Sequence, residues 1–264
     1  MKKAILMTML AATLSACGGG GGDSGNGGLS SGGNSSPGNN QATTPASNAS
    51  GIWKGVSDLN RTIWGVVLAN GDYWVLYSRS GISALLDGFI TGNLKYNGSN
   101  FSSSGLDYNM YSGILSVGVN GSFTANQLTV TSSYANGDKS TTSAPSLPGS
   151  GQAASLSAIA GNLAGNSYVP RSGMDGIIVN VANNGQISGQ STISGSGCRF
   201  NGTITPDAKL NLYTVSLTFL NNNCALGAGT SVNGAAMLDT QTGRLLGAAT
   251  TGQSGQGIMF DLHK

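Results

Sequence analysis

Thr62-Ile-Trp64-Gly-Val66-Val-Leu68-Ala-Asn70-Gly71-Asp-Tyr73-Trp74-Val-Leu-Tyr77-Ser78 reads as a β-hairpin. Trp64, Val66 and Leu68 share one face at period two, and Asn70-Gly71 tolerates the positive φ that a two-residue hairpin turn needs. The same pair recurs at Asn97-Gly98, Asn120-Gly121, Asn136-Gly137, Asn184-Gly185, Asn201-Gly202 and Asn233-Gly234. Asn201-Gly202 sits inside Cys198–Ile204, where the glycine reads as a bulge or a close approach instead of a turn. Further on, Tyr213, Val215, Leu217 and Phe219 alternate with Thr214, Ser216 and Thr218. Strands are predicted over 52–56, 62–69, 72–78, 84–91, 100–108, 111–119, 121–124 and 127–134. A second series covers 156–163, 174–182, 186–193, 197–204, 209–220, 230–238, 244–250 and 256–262. For Ser155–Leu163, dense in Ala and Leu, a short helix is the alternative to a strand.

Composition agrees with this. Of 264 residues 43 are Gly, only 8% are charged, and every acidic residue is Asp. A chain without Glu lacks a good helix former and first-turn cap. The fold class expected is all-β: two consecutive antiparallel units, at 51–137 and 154–264, the second an eight-stranded barrel. The first is either a barrel as well or a sandwich-like half. The polar, Pro-containing stretch 138–153 reads as the linker between them.

The N-terminus supplies an address. Lys2 and Lys3 precede the apolar run Ala4–Leu14 and then Leu14-Ser15-Ala16-Cys17. The run is shorter than the roughly 20 residues that cross a bilayer. Residues 1–16 therefore read as a signal peptide, and the box resembles that of bacterial lipoproteins, which implies diacylglycerol on the Cys17 sulfur. Gly18 after it resembles the outer-membrane sorting pattern. From 17 to 50 the chain is Gly, Ser and Asn with almost nothing to bury, a disordered tether spanning roughly 30 Å by the random-coil estimate. Loss of Lys2 and Lys3 leaves ten basic against ten acidic residues. A neutral chain has no electrostatic case for nucleic acid.

With Cys17 lipidated, Cys198 and Cys224 remain as an even pair outside the cytoplasm, where a disulfide is expected. Few residues suggest catalysis. The one His is His263, next to the C-terminus. Gly252-Gln-Ser254-Gly-Gln256 lacks the last Gly of a nucleophile elbow. Carboxylate pairs are conceivable from Asp72, Asp87 and Asp107 or from Asp175 and Asp239, but aspartates in such sheets usually serve turns. No catalytic residue, metal or cofactor is assigned.

Aromatic residues carry the remaining signal. All three tryptophans, Trp53, Trp64 and Trp74, fall in the first unit. With Trp74 set inside, Tyr73 and Tyr77 point outward together, and Tyr96, Phe101, Tyr108 and Tyr111 extend the candidate binding surface. Such a surface suits a protein or glycan. The other reading is that these aromatics fill one barrel and its flank.

A lipobox, a Gly-rich tether and Asn-Gly-punctuated strands in two units, with local strings such as Gly234-Ala235-Ala236, resemble the surface lipoproteins of Gram-negative bacteria. The types in question are the factor-H-binding and heparin-binding antigens and the transferrin-binding lipoproteins, whose carboxy-terminal units are eight-stranded barrels. The resemblance implies an outer-membrane lipoprotein acting as a binding or adhesion module or surface antigen. It transfers no binding residue, because the cysteine pair and the absence of a basic stretch depart from the pattern. A periplasmic structural or envelope-assembly lipoprotein is the alternative.

Overall fold

The computed structural model describes residues 48–252 and 255–264. The signal peptide, Cys17 and the tether as far as residue 47 lie outside the described residues, as does Ser254.

Two eight-stranded antiparallel barrels follow one another. The first contains β1 (Gly51–Ser57), β2 (Thr62–Val67), β3 (Asp72–Arg79), β4 (Ile82–Asn93), β5 (Lys95–Asn97), β6 (Asn100–Asn109), β7 (Gly113–Phe123), β8 (Gln127–Tyr134) and β9 (Lys139–Pro145). It closes through β1 on β9, with Val56 opposite Ser143, and through β4 on β6, with Gly88 opposite Asn109. The short β5 pairs only with β6, outside the closed ring.

The second barrel follows the single turn α1 (Leu156–Ile159). Its strands are β10 (Gly161–Val169), β11 (Gly173–Val181), β12 (Gln186–Ser191), β13 (Arg199–Pro206), β14 (Leu212–Phe219), β15 (Ser231–Asp239), β16 (Arg244–Thr250) and β17 (Gly257–His263). α1 packs against the interior through Ile159 and Leu156, and the Tyr213 hydroxyl donates to the Ser155 carbonyl at 3.0 Å.

Two expectations are corrected. The first half of the expected linker is the strand β9, whose pairing with β1 closes the first barrel; only residues 146–155 connect the barrels before α1. The strands expected at 111–119 and 121–124 are one strand, β7, because Asn120-Gly121 is not a turn. Glycine is there for space: Gly121 faces Phe101 across the sheet, and a Cβ on it would overlap the Phe101 ring. Gly88 is placed in the same way opposite Tyr77, Gly189 opposite Phe200 and Gly247 opposite Phe260. By contrast Asn70-Gly71, Asn136-Gly137 and Asn184-Gly185 do turn the chain, but each pair ends a three-residue loop instead of forming the expected two-residue one, with positive φ at the glycine and not at the Asn.

Alternation sorts the apolar side chains into three layers. Ile177, Val179, Phe200, Val215, Leu217, Phe219 and Phe260 belong to the core inside the second barrel, and Val67, Tyr73, Tyr77, Ile90, Phe101 and Val119 to that inside the first. The third layer joins the two outer surfaces: Ile52, Trp64, Val66, Leu76, Phe89 and Tyr108 of the first meet Tyr168, Ala235, Met237, Leu246, Ala248 and Met259 of the second. Both barrels therefore belong to one compact unit. Phe89 and Tyr108 stack at 4.5 Å over Gly257 of β17, which has no side chain to hold them off.

Polar pairs stitch the same seam. Arg244 binds Asp261 bidentately at 2.9 and 2.6 Å, lies 5.0 Å from the centre of the Trp64 ring and donates to the Ser83 carbonyl. Lys54 reaches the fully buried Asp239 at 2.7 Å.

Cys198 and Cys224 form a disulfide, their Cα atoms 4.5 Å apart. It ties the start of β13 to the loop between β14 and β15 at one end of the second barrel. Closing a loop of this length contributes about 3–4 kcal/mol on the chain-entropy account.

Candidate functional site: a cup in the first barrel

The two interiors differ. In the second barrel the aromatic and branched side chains leave a void of about 50 Å³. The first holds a cavity of about 920 Å³, because several inward positions carry glycine or small hydroxyl residues: Gly65, Ser132, Ser140 and Thr142 all line it. Ligand pockets usually measure about 300–1,000 Å³.

The cavity is a cup with one closed end. Where the chain enters the barrel, Trp53, Phe101, Phe123 and Leu128 are buried, the Tyr96 ring meets Phe123 edge-on at 5.8 Å, and the Trp53 indole donates to the Ala49 carbonyl at 3.0 Å. At the opposite end Leu59, Ser112, Ile114, Asn136 and Asp138, from three of the connecting loops and the edge of β7, line the mouth. Between them the wall is largely apolar, with Ile63, Val75, Ile90, Val119 and Val130.

A buried carboxylate interrupts this wall. Asp107, inward on β6 and 3% exposed, accepts the Tyr77 hydroxyl at 2.6 Å on one oxygen and the Tyr134 hydroxyl at 2.8 Å on the other. Asn109 donates to the Tyr77 oxygen at 3.1 Å, so that phenol's own proton is committed to Asp107. Burial pushes the Asp107 carboxyl above its ordinary range, against the hydrogen bonds of Tyr77 and Tyr134 and the charge of Arg61. Both phenols are likewise raised, first by burial and then by the charge of Asp107. Arg61 is occupied elsewhere: it binds Asp87 at 2.6 Å and the Ser78 carbonyl at 3.1 Å, 5.1 Å from the centre of the Tyr77 ring.

The structure separates the six aromatic residues expected to share a surface. Tyr73 and Tyr77 point into the cup, and Trp74 is the outward residue, half-buried against the layer between the barrels. The reason is that β3 is covered on both sides, while Gly88, Gly92 and Gly105 leave interior room for the two phenols. Phe101 and Tyr96 help close the floor, and Tyr108 lies in the inter-barrel layer. Tyr111 alone is freely exposed (67%), on the β6–β7 turn under the Arg79 guanidinium. Tyr73, Tyr77, Phe101 and Tyr108 are buried, so the six do not share an outer surface.

The other expected acids have separate partners. Asp72 accepts from Asn70 and Asn93 at the β2–β3 turn, and Asp175 accepts from Ser191 and Ser196. Sequence reasoning missed Arg61, Asn109 and Tyr134. A signal was present for their centre: Asp107 is the one charge in the strand Asn100–Asn109 and is flanked by Leu106 and Tyr108.

The sequence matches no protein-family model, and no curated protein is similar to it.

Proposed function

We propose that the chain is a lipid-anchored binding protein of the outer membrane, whose first barrel holds a small amphipathic ligand and whose second barrel is the rigid body beside it. The cavity of about 920 Å³ supports this reading, set as it is beside a barrel of the same strand number with a filled interior. A ligand of matching size would make with the wall the dispersion contacts that side chains make with one another inside the second barrel. The Cys17 box and the long tether support anchoring, and they give the folded body reach from the lipid surface. Binding, not catalysis, is the activity proposed.

The test uses Gly65→Leu. A Cβ at this position meets nothing closer than 3.7 Å, so the new side chain grows into the cavity without displacing backbone. The uncharged dye N-phenyl-1-naphthylamine should bind the unsubstituted protein at one saturable site and lose at least tenfold in affinity in the variant, with its melting temperature maintained. Equal binding by both would place the dye outside the cup and contradict the assignment. In parallel, Cys17→Ser should abolish incorporation of a fatty-acid analogue in cells; undiminished label would refute the anchor.

A further inference from the structure

We propose that the cup selects amphiphiles bearing a primary amine, the ammonium group seated on Asp107 and the apolar body on Val75, Ile90, Val119 and Val130. This rests on the reading of the first barrel as a binding cup and adds the chemistry of its ligand.

Asp107 is buried, lines the cavity and has no lysine or arginine within 4 Å among the described residues. Its two partners are neutral phenols, each occupying one of the lone pairs on one oxygen. The remaining lone pairs are acceptors, and they suit a donor that carries positive charge. The nearby cation does not fill those lone pairs, because the Arg61 guanidinium donates to Asp87 and to the Ser78 carbonyl and acts on Asp107 only through its charge. Arg79 also approaches Asp87, at 3.8 Å. Among the other charged residues of the lining, Asp138 and Lys139 stand side by side on the mouth turn and offset one another. Asp107 is left, among the described residues, as the buried carboxylate of the cup without a direct ion pair.

Its surroundings hold the carboxylate as an acceptor. The Asn109 amide fixes the Tyr77 hydroxyl toward it, and the sheet fixes its row, with Ile90 and Leu115 directly opposite on β4 and β7. A ligand carboxylate brought there would meet like charge in a poorly solvated site, whereas an alcohol would donate one hydrogen bond to the carboxylate but bring no opposite charge. The expected order is therefore amine, then alcohol, then acid.

The test titrates dodecylamine, dodecanol and dodecanoate at pH 7 into the mature chain carrying Cys17→Ser, read by isothermal titration calorimetry. Dodecylamine should bind at least about tenfold tighter than dodecanol, and dodecanoate should be weakest. Asp107→Asn should bring dodecylamine down to the level of dodecanol and leave dodecanol where it was. Dodecanol or dodecanoate binding the unsubstituted side chain as tightly as dodecylamine would overturn the amine assignment while leaving the cup intact. If none of the three binds, the cup reading fails and this inference with it.

Discussion

Asp107 sits where an ionised carboxylate is disfavoured, and the consequence is a pH dependence with a definite sign. Its carboxyl is raised by burial more than Tyr77, Tyr134 and Arg61 lower it, and Asp87 adds to the rise. In the unfolded chain it titrates near the ordinary value of about 4. The folded state therefore binds the proton more tightly, so this residue's contribution is best below about pH 4 and declines as pH rises through the folded value. Asp107→Asn lacks that decline and can still accept from Tyr77. The stability of the unsubstituted protein relative to Asp107→Asn should fall between pH 4 and pH 7, read from urea midpoints at several pH values. A difference that is flat or grows with pH would contradict the burial argument. Asp239 behaves oppositely: burial alone would raise it, but Lys54, the Gln241 backbone N–H and the Thr242 hydroxyl together hold it below its usual value.

Strand β3 shows how far the sequence could be read. Its existence and the place of its turn were legible, because period-two alternation and an Asn-Gly pair are local signals. Its register was not, because the loop holds three residues, 69–71, and sets Val67 opposite Tyr73 where a two-residue turn would set Leu68 there. Which face points inward was not legible, because the solvent is on neither side: Tyr73 and Tyr77 face the cup, and Leu76 and Trp74 face the other barrel. The rule that places the larger aromatic inside has no purchase on a strand buried twice over. Likewise β9 was hidden by its polar composition; Ser140, Thr142 and Ser143 are half-exposed or exposed residues that line a cavity or meet solvent, not a filled core. The observed facing makes a prediction that separates neighbours. Tyr73→Ala, removing a fully buried side chain from the cup floor, should cost about 3 kcal/mol or more, and Trp74→Ala, on the half-buried outer side, about half of that. Paired urea denaturation curves measure both, and a larger loss for Trp74→Ala would reverse the assignment.

At the scale of the molecule, the layer between the barrels explains apolar runs that fit no amphipathic strand. Ala235-Ala236-Met237 and Leu245-Leu246-Gly247-Ala248-Ala249 are buried without a break, since one side fills the second barrel and the other meets the first. The buried Arg244–Asp261 pair and the Lys54–Asp239 bridge orient that contact, and breaking a buried pair by removing one partner typically costs about 3–5 kcal/mol. The division of labour follows: one barrel is filled and held against the other, and the other is left open at one end. The most direct measurement is methyl NMR of the mature Cys17→Ser chain titrated with dodecanol, a neutral probe that does not depend on the amine assignment. The account predicts saturable shifts at Val75, Ile90, Val119 and Val130 of the first barrel, with Val179, Val215 and Leu217 of the second unmoved. Shifts at the second barrel's interior, or none at the first, would contradict it.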